Sequence, residues 1–198
     1  MKDLRAQGWL IVIAGVFLMM NVCGCSDGFK YSRYSSKDPE LNLTIDYISG
    51  WHCIEHRGEN NVNANVLFFE DKAGDIFKAK VSLNAGDISK SRISPPTIEA
   101  IADNISASML KFEGSKALSR SKIRLLGTKA VDLQFSYKAL DRIYSVNPKL
   151  IPVKARMIIF ERGDKFYTVR YENREKDFEN LSKAFNHMIR TLRFKSGG

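Results

Sequence analysis

Short turns between β-rich runs constrain the fold of this chain more than any other feature. Three such turns lie at residues 70–75, 127–128 and 162–165, and each contains a glycine. Connections this short join antiparallel neighbours, because parallel strands need a crossover of a dozen residues or more. The flanking runs predict about seven strands, at residues 43–48, 66–69, 76–83, 123–126, 130–137, 153–161 and 166–171. An antiparallel sheet of about six to seven strands is therefore the expected centre of the fold.

Two amphipathic helices accompany the predicted strands. The first lies between the proline pair at 95–96 and Gly114, and its apolar residues recur at helical spacing from Ile98 to Phe112. The second follows Asn173, and its apolar stripe consists of Phe178, Leu181, Phe185, Met188 and Ile189. A hairpin-rich sheet with one helix inserted mid-chain and one near the C-terminus predicts an α+β fold.

The N-terminus has the pattern of an export signal. Lys2 and Arg5 precede an uncharged apolar run from Trp9 to Val22. As a helix this run spans about 21 Å, which is short of the roughly 30 Å hydrocarbon core of a bilayer. A basic start, a short apolar run and small residues after it are typical of a secretory signal peptide. We predict a signal peptide over residues 1–24.

The residues after the apolar run indicate lipid attachment. Val22-Cys23-Gly24-Cys25 resembles the bacterial lipobox, in which small residues precede an acylated cysteine. Cys25 is the better acceptor because Gly24 precedes it, whereas Cys23 follows the bulkier Val22. Similarity to bacterial lipoproteins implies a diacylglycerol thioether and an N-acyl chain on Cys25. Two or three acyl chains hold a protein stably on a membrane. An ordinary cleavage site without acylation is the alternative.

The mature chain divides into a tether and a domain. Residues 25–41 are polar and serine-rich, which predicts a lipidated cysteine followed by a flexible tether. Residues 42–195 form one domain large enough to bury a core. Similarity to lipoproteins places the protein in the cell envelope. In a Gram-negative cell, Ser26 after the acylated cysteine favours the outer membrane, with the domain facing the periplasm.

Several segments resemble the PsbP-like superfamily, which is named for an extrinsic protein of photosystem II. They are Tyr47-Ile48-Ser49-Gly50-Trp51, Leu126-Gly127-Thr128-Lys129-Ala130, residues 164–171, and Thr191-Leu192-Arg193-Phe194. The resemblance runs from about Leu43 to Phe194 and implies an α/β/α sandwich around an antiparallel sheet. Ile48 replaces the family's usual proline, and Gly127 is the one glycine present of a usual pair. The superfamily holds photosystem subunits, nuclear transport factors and bacterial lipoproteins, so the fold leaves the function open.

The histidines suggest a metal site only at first sight. His52 and His56 lie close to Cys53 and Glu55 in the sequence. On a strand, residues four apart share a face but lie about 13 Å apart, which is too far for one ion. We therefore expect no metal and no cofactor. With Cys25 acylated, Cys53 is unpaired, and we expect it to be a small buried hydrophobe.

Charge is distributed unevenly along the mature chain. Residues 25–110 hold 9 basic and 12 acidic residues, whereas residues 111–198 hold 20 basic and 9 acidic residues. An exported protein does not meet nucleic acid, so the basic half predicts contact with an envelope protein or another anionic surface. A basic surface without a dedicated partner is the alternative. The candidate partner-binding residues are Lys116, Arg120, Lys122, Arg124, Lys154 and Arg156.

The sequence carries no catalytic motif for nucleophilic, nucleotide-dependent or zinc chemistry. The first hypothesis is therefore a lipid-anchored, non-enzymatic binding or assembly module of the cell envelope. The second is a lumenal photosystem-associated lipoprotein, which requires a photosynthetic source. The third is a small-ligand carrier or an enzyme with a pocket between the sheet and a helix.

Overall fold

The computed structural model describes residues 28–57, 63–71, 77–91, 93–141 and 147–195. The predicted signal peptide at residues 1–24 and the predicted acylation site at Cys25 lie outside the described residues. Within the described ranges the chain forms two antiparallel sheets and two α-helices. None of the helices in these ranges is both long and apolar enough to span a membrane.

The strands alternate in the chain with short turns, as the hairpin pattern predicts. In chain order they are β1 (Tyr31–Ser35), β2 (Leu43–Ile48), β3 (His52–Arg57), β4 (Asn63–Phe69), β5 (Lys80–Asp87), β6 (Lys116–Leu125), β7 (Thr128–Leu140), β8 (Leu150–Arg162), β9 (Lys165–Arg174) and β10 (Arg193–Phe194). The helices are α1 (Ile98–Met109) and α2 (Phe178–Thr191). A 3-10 turn at residues 175–177 leads into α2.

The large sheet has seven antiparallel strands in the order β3-β4-β5-β9-β8-β7-β6. A small sheet, in the order β1-β2-β10, lies with α2 on one face of the large sheet, and α1 lies on the other. We call these the α2 face and the α1 face. The arrangement confirms the predicted α+β fold with a central antiparallel sheet and two main helices.

Alternating side chains of the large sheet fill two separate cores. On β7, Val131, Leu133 and Phe135 point to the α1 face, where they pack with Ile98 and Ile101 of α1. On the α2 face, residues of β4, β5, β8 and β9 pack with β2 and α2, and Phe68, Phe160, Tyr171 and Phe185 are among the largest buried side chains. Helix α1 begins where the Thr97 hydroxyl accepts a hydrogen bond from the Ala100 amide.

The segment expected to be a flexible tether contains a strand. Tyr31 to Ser35 form β1, which pairs with β2 along its whole length. Tyr34 packs edge-on against Phe68, and Leu41 is fully buried. The serine-rich composition of the segment gave no indication of these buried apolar contacts. The folded region therefore begins about ten residues earlier than the sequence boundary at residue 42.

Other elements also differ from the sequence prediction. Strand β6 begins at Lys116, whereas the sequence predicted a start at residue 123. The first half of the strand is exposed and lacks the apolar alternation on which the prediction depended. Segment 52–57, which the sequence left as strand or loop, is the edge strand β3. Helix α1 ends at Met109, so Phe112 lies beyond it and is half exposed.

Candidate functional site

Four of the six candidate partner-binding residues lie on β6. Lys116, Arg120, Lys122 and Arg124 are all exposed on this strand. β6 is an edge strand of the large sheet, and β7 is its neighbour in that sheet. Basic side chains on an edge strand discourage pairing with another copy of the same strand, since like charges would meet.

A break in register divides these four residues between the two faces. Arg120 lies opposite Leu133 and Lys122 opposite Val131, so both share the α1 face. There Arg120 forms an ion pair with Asp103 of α1, and the Lys122 ammonium lies 3.5 Å from Glu99. Lys116 precedes the register shift at residues 117–119 and lies opposite Ser136, on the α2 face.

The end of the β6–β7 hairpin concentrates positive charge. Arg124 and Lys129 lie directly opposite each other, and both are exposed. Like charges in this position repel and destabilise the pair of strands slightly. A hydrogen bond from its own backbone amide, and then the nearby Lys122 and Lys129, keep the pKa of Glu99 below its usual range. We call Lys122, Arg124 and Lys129 the basic hairpin.

Lys154 and Arg156 have a different role, because they lie under α2. Arg156 on β8 donates to both carboxylate oxygens of Asp132, at 3.1 and 2.7 Å, and to the Asn186 side chain at 2.8 Å. Its guanidinium also lies over the Phe185 ring. Lys154 lies over Phe178, with its ammonium 3.5 Å from Glu179. Both residues hold α2 against the sheet, so the structure does not bring the six candidates into one surface.

A buried polar cluster on the α1 face was not predicted from the sequence. The Glu172 carboxylate, whose side chain is 4% exposed, forms ion pairs with Arg170 and, at 2.9 Å, with Lys80. Tyr137 donates its hydroxyl hydrogen to the same carboxylate. Arg170 in turn donates to the Tyr137 oxygen at 3.2 Å. The cluster joins β5, β7 and β9 beneath the surface of the sheet.

The protonation states of this cluster favour a structural role. Burial raises the pKa of Tyr137, and the charge of Glu172 raises it further. Burial opposes ionisation of Glu172, but Arg170, Lys80 and the Tyr137 hydroxyl outweigh it, so the pKa of Glu172 is lowered. At neutral pH the phenol keeps its proton and the carboxylate stays charged. Neither group is poised to exchange a proton as a catalyst would.

The β3 edge holds the residues considered for a metal site. His52 lies 3.1 Å from Asp71 and packs on Phe69. Among the described residues, no three His, Cys, Asp or Glu side chains converge as a metal site requires. The expectation for Cys53 was wrong, since the residue is exposed on the edge strand. Partial burial of its thiol, with the Glu55 carboxylate nearby, nevertheless raises the pKa of Cys53 to about 11.

An apolar groove lies on the α1 face where α1 does not cover the sheet. Helix α1 contacts β7 and β8, which leaves β4 and β5 uncovered on this side. The groove has a volume of about 490 Å³, and its apolar lining includes Ile54, Leu67, Phe69, Phe77 and Leu140. Lys78 and Lys80 also line it. By contrast, the interfaces of the sheet with α1 and α2 are filled by apolar side chains.

Comparison with known proteins identifies the fold. The sequence matches no protein-family model, and no match was found among curated proteins. Solved structures are similar in fold. Cyanobacterial PsbP from Synechocystis aligns with 13% identity and a TM-score of 0.53, over 83% of this chain and 92% of its own. LpqN, which is involved in cell envelope biogenesis of Mycobacterium tuberculosis, aligns with 14% identity and a TM-score of 0.51, over 85% of this chain and 92% of its own.

The fold also extends to a eukaryotic protein. The Ran-binding protein Mog1p of Saccharomyces cerevisiae aligns with 8% identity and a TM-score of 0.52, over 84% of this chain and 96% of its own. Identities this low show a shared fold and leave the function open. The predicted PsbP-like fold is confirmed.

Proposed function

We propose that this protein is a lipid-anchored, non-enzymatic binding module of the cell envelope, which docks on an acidic face of an envelope protein complex through the basic hairpin. The observation that carries the proposal is the direct opposition of Arg124 and Lys129 on an exposed hairpin. Two cations in this position repel each other, and a carboxylate placed between them relieves that repulsion. Among the described residues no carboxylate forms an ion pair with either of them, although the Glu99 carboxylate is near enough to Lys129 for the two charges to interact.

The position of the hairpin also supports docking. It forms the edge of the large sheet, where another molecule can approach without displacing a covering element. Lys116, Lys122 and Arg124 are exposed, so their charges act at the surface. Such charges chiefly raise the rate and the specificity of association. The fold shared with LpqN, a protein of envelope biogenesis, is in keeping with this location.

The chemistry of the buried cluster supports a non-enzymatic role. Its proton donor and its carboxylate are both held in their ordinary states at neutral pH, because burial and ion pairing push the pKa of Tyr137 up and that of Glu172 down. The cluster is also enclosed by the sheet, with Glu172 almost fully buried. Its contacts account for the burial of these charges, and they leave no group to act on a substrate.

Charge reversal at the hairpin tests the docking. The variant Arg124→Glu with Lys129→Glu is compared with Lys176→Glu and Lys183→Glu, which makes the same charge change at exposed positions near and on α2. Proteins are recovered with each variant from detergent-solubilised envelopes and quantified. We expect the hairpin variant to lose the partners of the wild type and the control to keep them. Equal recovery with both variants contradicts the proposal.

Acyl labelling tests the anchor separately. Cys25→Ser is expected to abolish incorporation of a labelled fatty acid and to release the protein from the membrane fraction. Cys23→Ser is the matched control, and it is expected to leave labelling and attachment unchanged. Continued membrane attachment of Cys25→Ser contradicts the lipobox assignment.

A further inference from the structure

We propose that one end of the large sheet, which carries a cluster of exposed apolar side chains, rests in the interface of the membrane to which the protein is anchored. This inference rests on the proposed lipid anchor at Cys25. It assigns an orientation, with the apolar end against the bilayer and the basic hairpin pointing away. The occupant of the apolar surface is therefore a phospholipid bilayer.

The large exposed apolar residues are concentrated in one part of the fold. Six such side chains of the described chain are between 40% and 49% exposed, namely Ile54, Leu110, Phe112, Leu118, Leu140 and Leu150. Scattered apolar residues are normal on a protein surface, but a cluster of this kind marks an interaction site. We call these six residues the apolar end.

Strand order places four of the six, Ile54, Leu118, Leu140 and Leu150, towards the same end of the sheet. In an antiparallel sheet the starts of β3, β5, β6 and β8 meet the ends of β4, β7 and β9. Leu118 lies near the start of β6, and Leu140 lies opposite Leu150 at the end of β7. Ile54 lies near the start of β3 and shares the apolar groove with Leu140.

The turn after α1 joins the same surface. Phe112 contacts Tyr137 with ring centroids 5.4 Å apart, and the Lys138 amide donates to the Glu113 carbonyl at 2.8 Å. These contacts fix the turn against the end of β7. Leu110 and Phe112 therefore lie beside the Leu140 strand end rather than on a separate face.

The N-terminal segment reaches the sheet at this end too. The Ser49 amide donates to the Lys30 carbonyl at 2.9 Å, which places Lys30 beside the turn that leads into β3. Cys25 precedes Lys30 by five residues. Even fully extended, these residues span at most about 18 Å. An anchor at Cys25 thus holds this end of the domain close to the bilayer.

Exposed lysines lie beside the apolar end, namely Lys111, Lys116, Lys138 and Lys149. Lys138 has its ammonium 3.5 Å from the exposed Glu113 carboxylate, and the other three add positive charge. Apolar side chains with lysines beside them suit an interface between acyl chains and anionic headgroups. The opposite end of the sheet, at the β6–β7 turn, carries the basic hairpin instead. Strand β7 separates the two ends by about 40 Å, because it rises about 3.4 Å per residue.

Depth-dependent quenching of tryptophan tests the orientation. The full lipidated protein is placed on phosphatidylethanolamine–phosphatidylglycerol vesicles with or without brominated acyl chains. After signal-peptide cleavage Trp51 is the sole tryptophan, so reporters are added to a Trp51→Phe background. Phe112→Trp and Leu140→Trp are two independent reporters at half-exposed positions. Lys129→Trp on the basic hairpin is the matched control.

Brominated lipid is expected to lower the fluorescence of both reporters by about twofold, since interfacial side chains reach about 5–10 Å into the bilayer. The Lys129→Trp control is expected to stay unquenched. Flotation of each variant with the vesicles is measured first. If the protein floats and neither reporter is quenched, the orientation is wrong while the anchor stands. If it does not float, the anchor and the orientation both fail.

Discussion

Tyr137 on β7 and Glu172 on β9 are joined by a buried hydrogen bond that reaches across the intervening strand β8. The same carboxylate pairs with Arg170 and Lys80, so three side chains, one each from β5, β7 and β9, depend on one buried charge. Buried charges are tolerated in this way only when ion pairs and hydrogen bonds compensate them. Loss of one member would therefore leave a buried partner with fewer compensating contacts.

Removal of either member of this pair is expected to destabilise the fold to different degrees. Tyr137→Phe removes one hydrogen bond to a charged group, which lowers the free energy of unfolding by about 1.5–3 kcal/mol. Glu172→Gln leaves Arg170 and Lys80 without their counter-charge, and we expect the larger loss there, about 3–5 kcal/mol. Urea unfolding measures both. Glu175→Gln, at an exposed position, is the control and is expected to change stability by less than about 0.5 kcal/mol.

Acid is expected to destabilise the protein through carboxylates whose pKa is lowered in the fold, among them Asp46 and Glu172. Burial opposes ionisation of Asp46, but Arg33 and His187 outweigh it and lower the pKa of Asp46; ion pairing lowers the pKa of Glu172 likewise. A carboxylate whose pKa is lower in the folded state than in the unfolded state stabilises the fold at a pH above its unfolded-state pKa, which is about 4. That stabilisation is lost as the pH falls through the folded-state pKa. Urea midpoints between about pH 7 and pH 2 measure the effect. Glu172→Gln is expected to flatten the acid slope, and an unchanged slope contradicts this assignment.

Substitution of two of the candidate partner-binding residues, Arg156 and Arg124, is expected to have different effects on stability. Arg156→Ala removes contacts with Asp132, Asn186 and the Phe185 ring, so we expect a loss of about 2–4 kcal/mol. Arg124→Ala removes a repulsion from Lys129, so stability stays unchanged or rises by a few tenths of a kcal/mol, about 0.2–0.5. Thermal and urea unfolding of the two variants side by side tests the division. Similar losses in both contradict it.

Cys53 is expected to react slowly although it is exposed. Burial of the thiol, with Glu55 nearby, raises the pKa of Cys53 to about 11, and the thiolate is the reactive form. At neutral pH the alkylation rate is expected to be about 100-fold below that of the unfolded chain, since a shift of two pKa units changes the thiolate fraction by that factor. Iodoacetamide kinetics from about pH 7 to pH 11 measure it. A rate that levels off near pH 9 contradicts the raised pKa.

The sequence predicted the elements that carry a clear apolar period. Both helices lie where apolar residues recur at helical spacing, and strands β7, β8 and β9 lie where apolar residues alternate. Strand β1 was missed because its serines and single arginine resemble a linker, and its apolar contact with Phe68 is distant in sequence. The first half of β6 was missed because an exposed edge strand needs no apolar face.

The sequence predicted which part of the chain is basic, but not which of its basic side chains share a surface. Net charge located the basic half of the chain, but the face on which each residue lies depends on strand register. One bulge near Ala117 separates Lys116 from Arg120, and strand parity turns Arg156 towards α2. The Tyr137–Glu172 hydrogen bond could not be predicted from the sequence, because it joins strands that are not neighbours in the sequence. Its one signal was a glutamate within an apolar strand.

The pairing of β5 with β9 sets the order in which the chain can assemble. Asp87 and Lys165 are partners in the sheet, although about 80 residues separate them in sequence. A chain that emerges N-terminus first presents β3, β4 and β5 long before their inner neighbour exists. Val81 and Leu83 then lack most of the core that buries them in the finished fold. Such long-range pairing slows folding, so we expect the large sheet to close only after nearly all of the chain has been delivered.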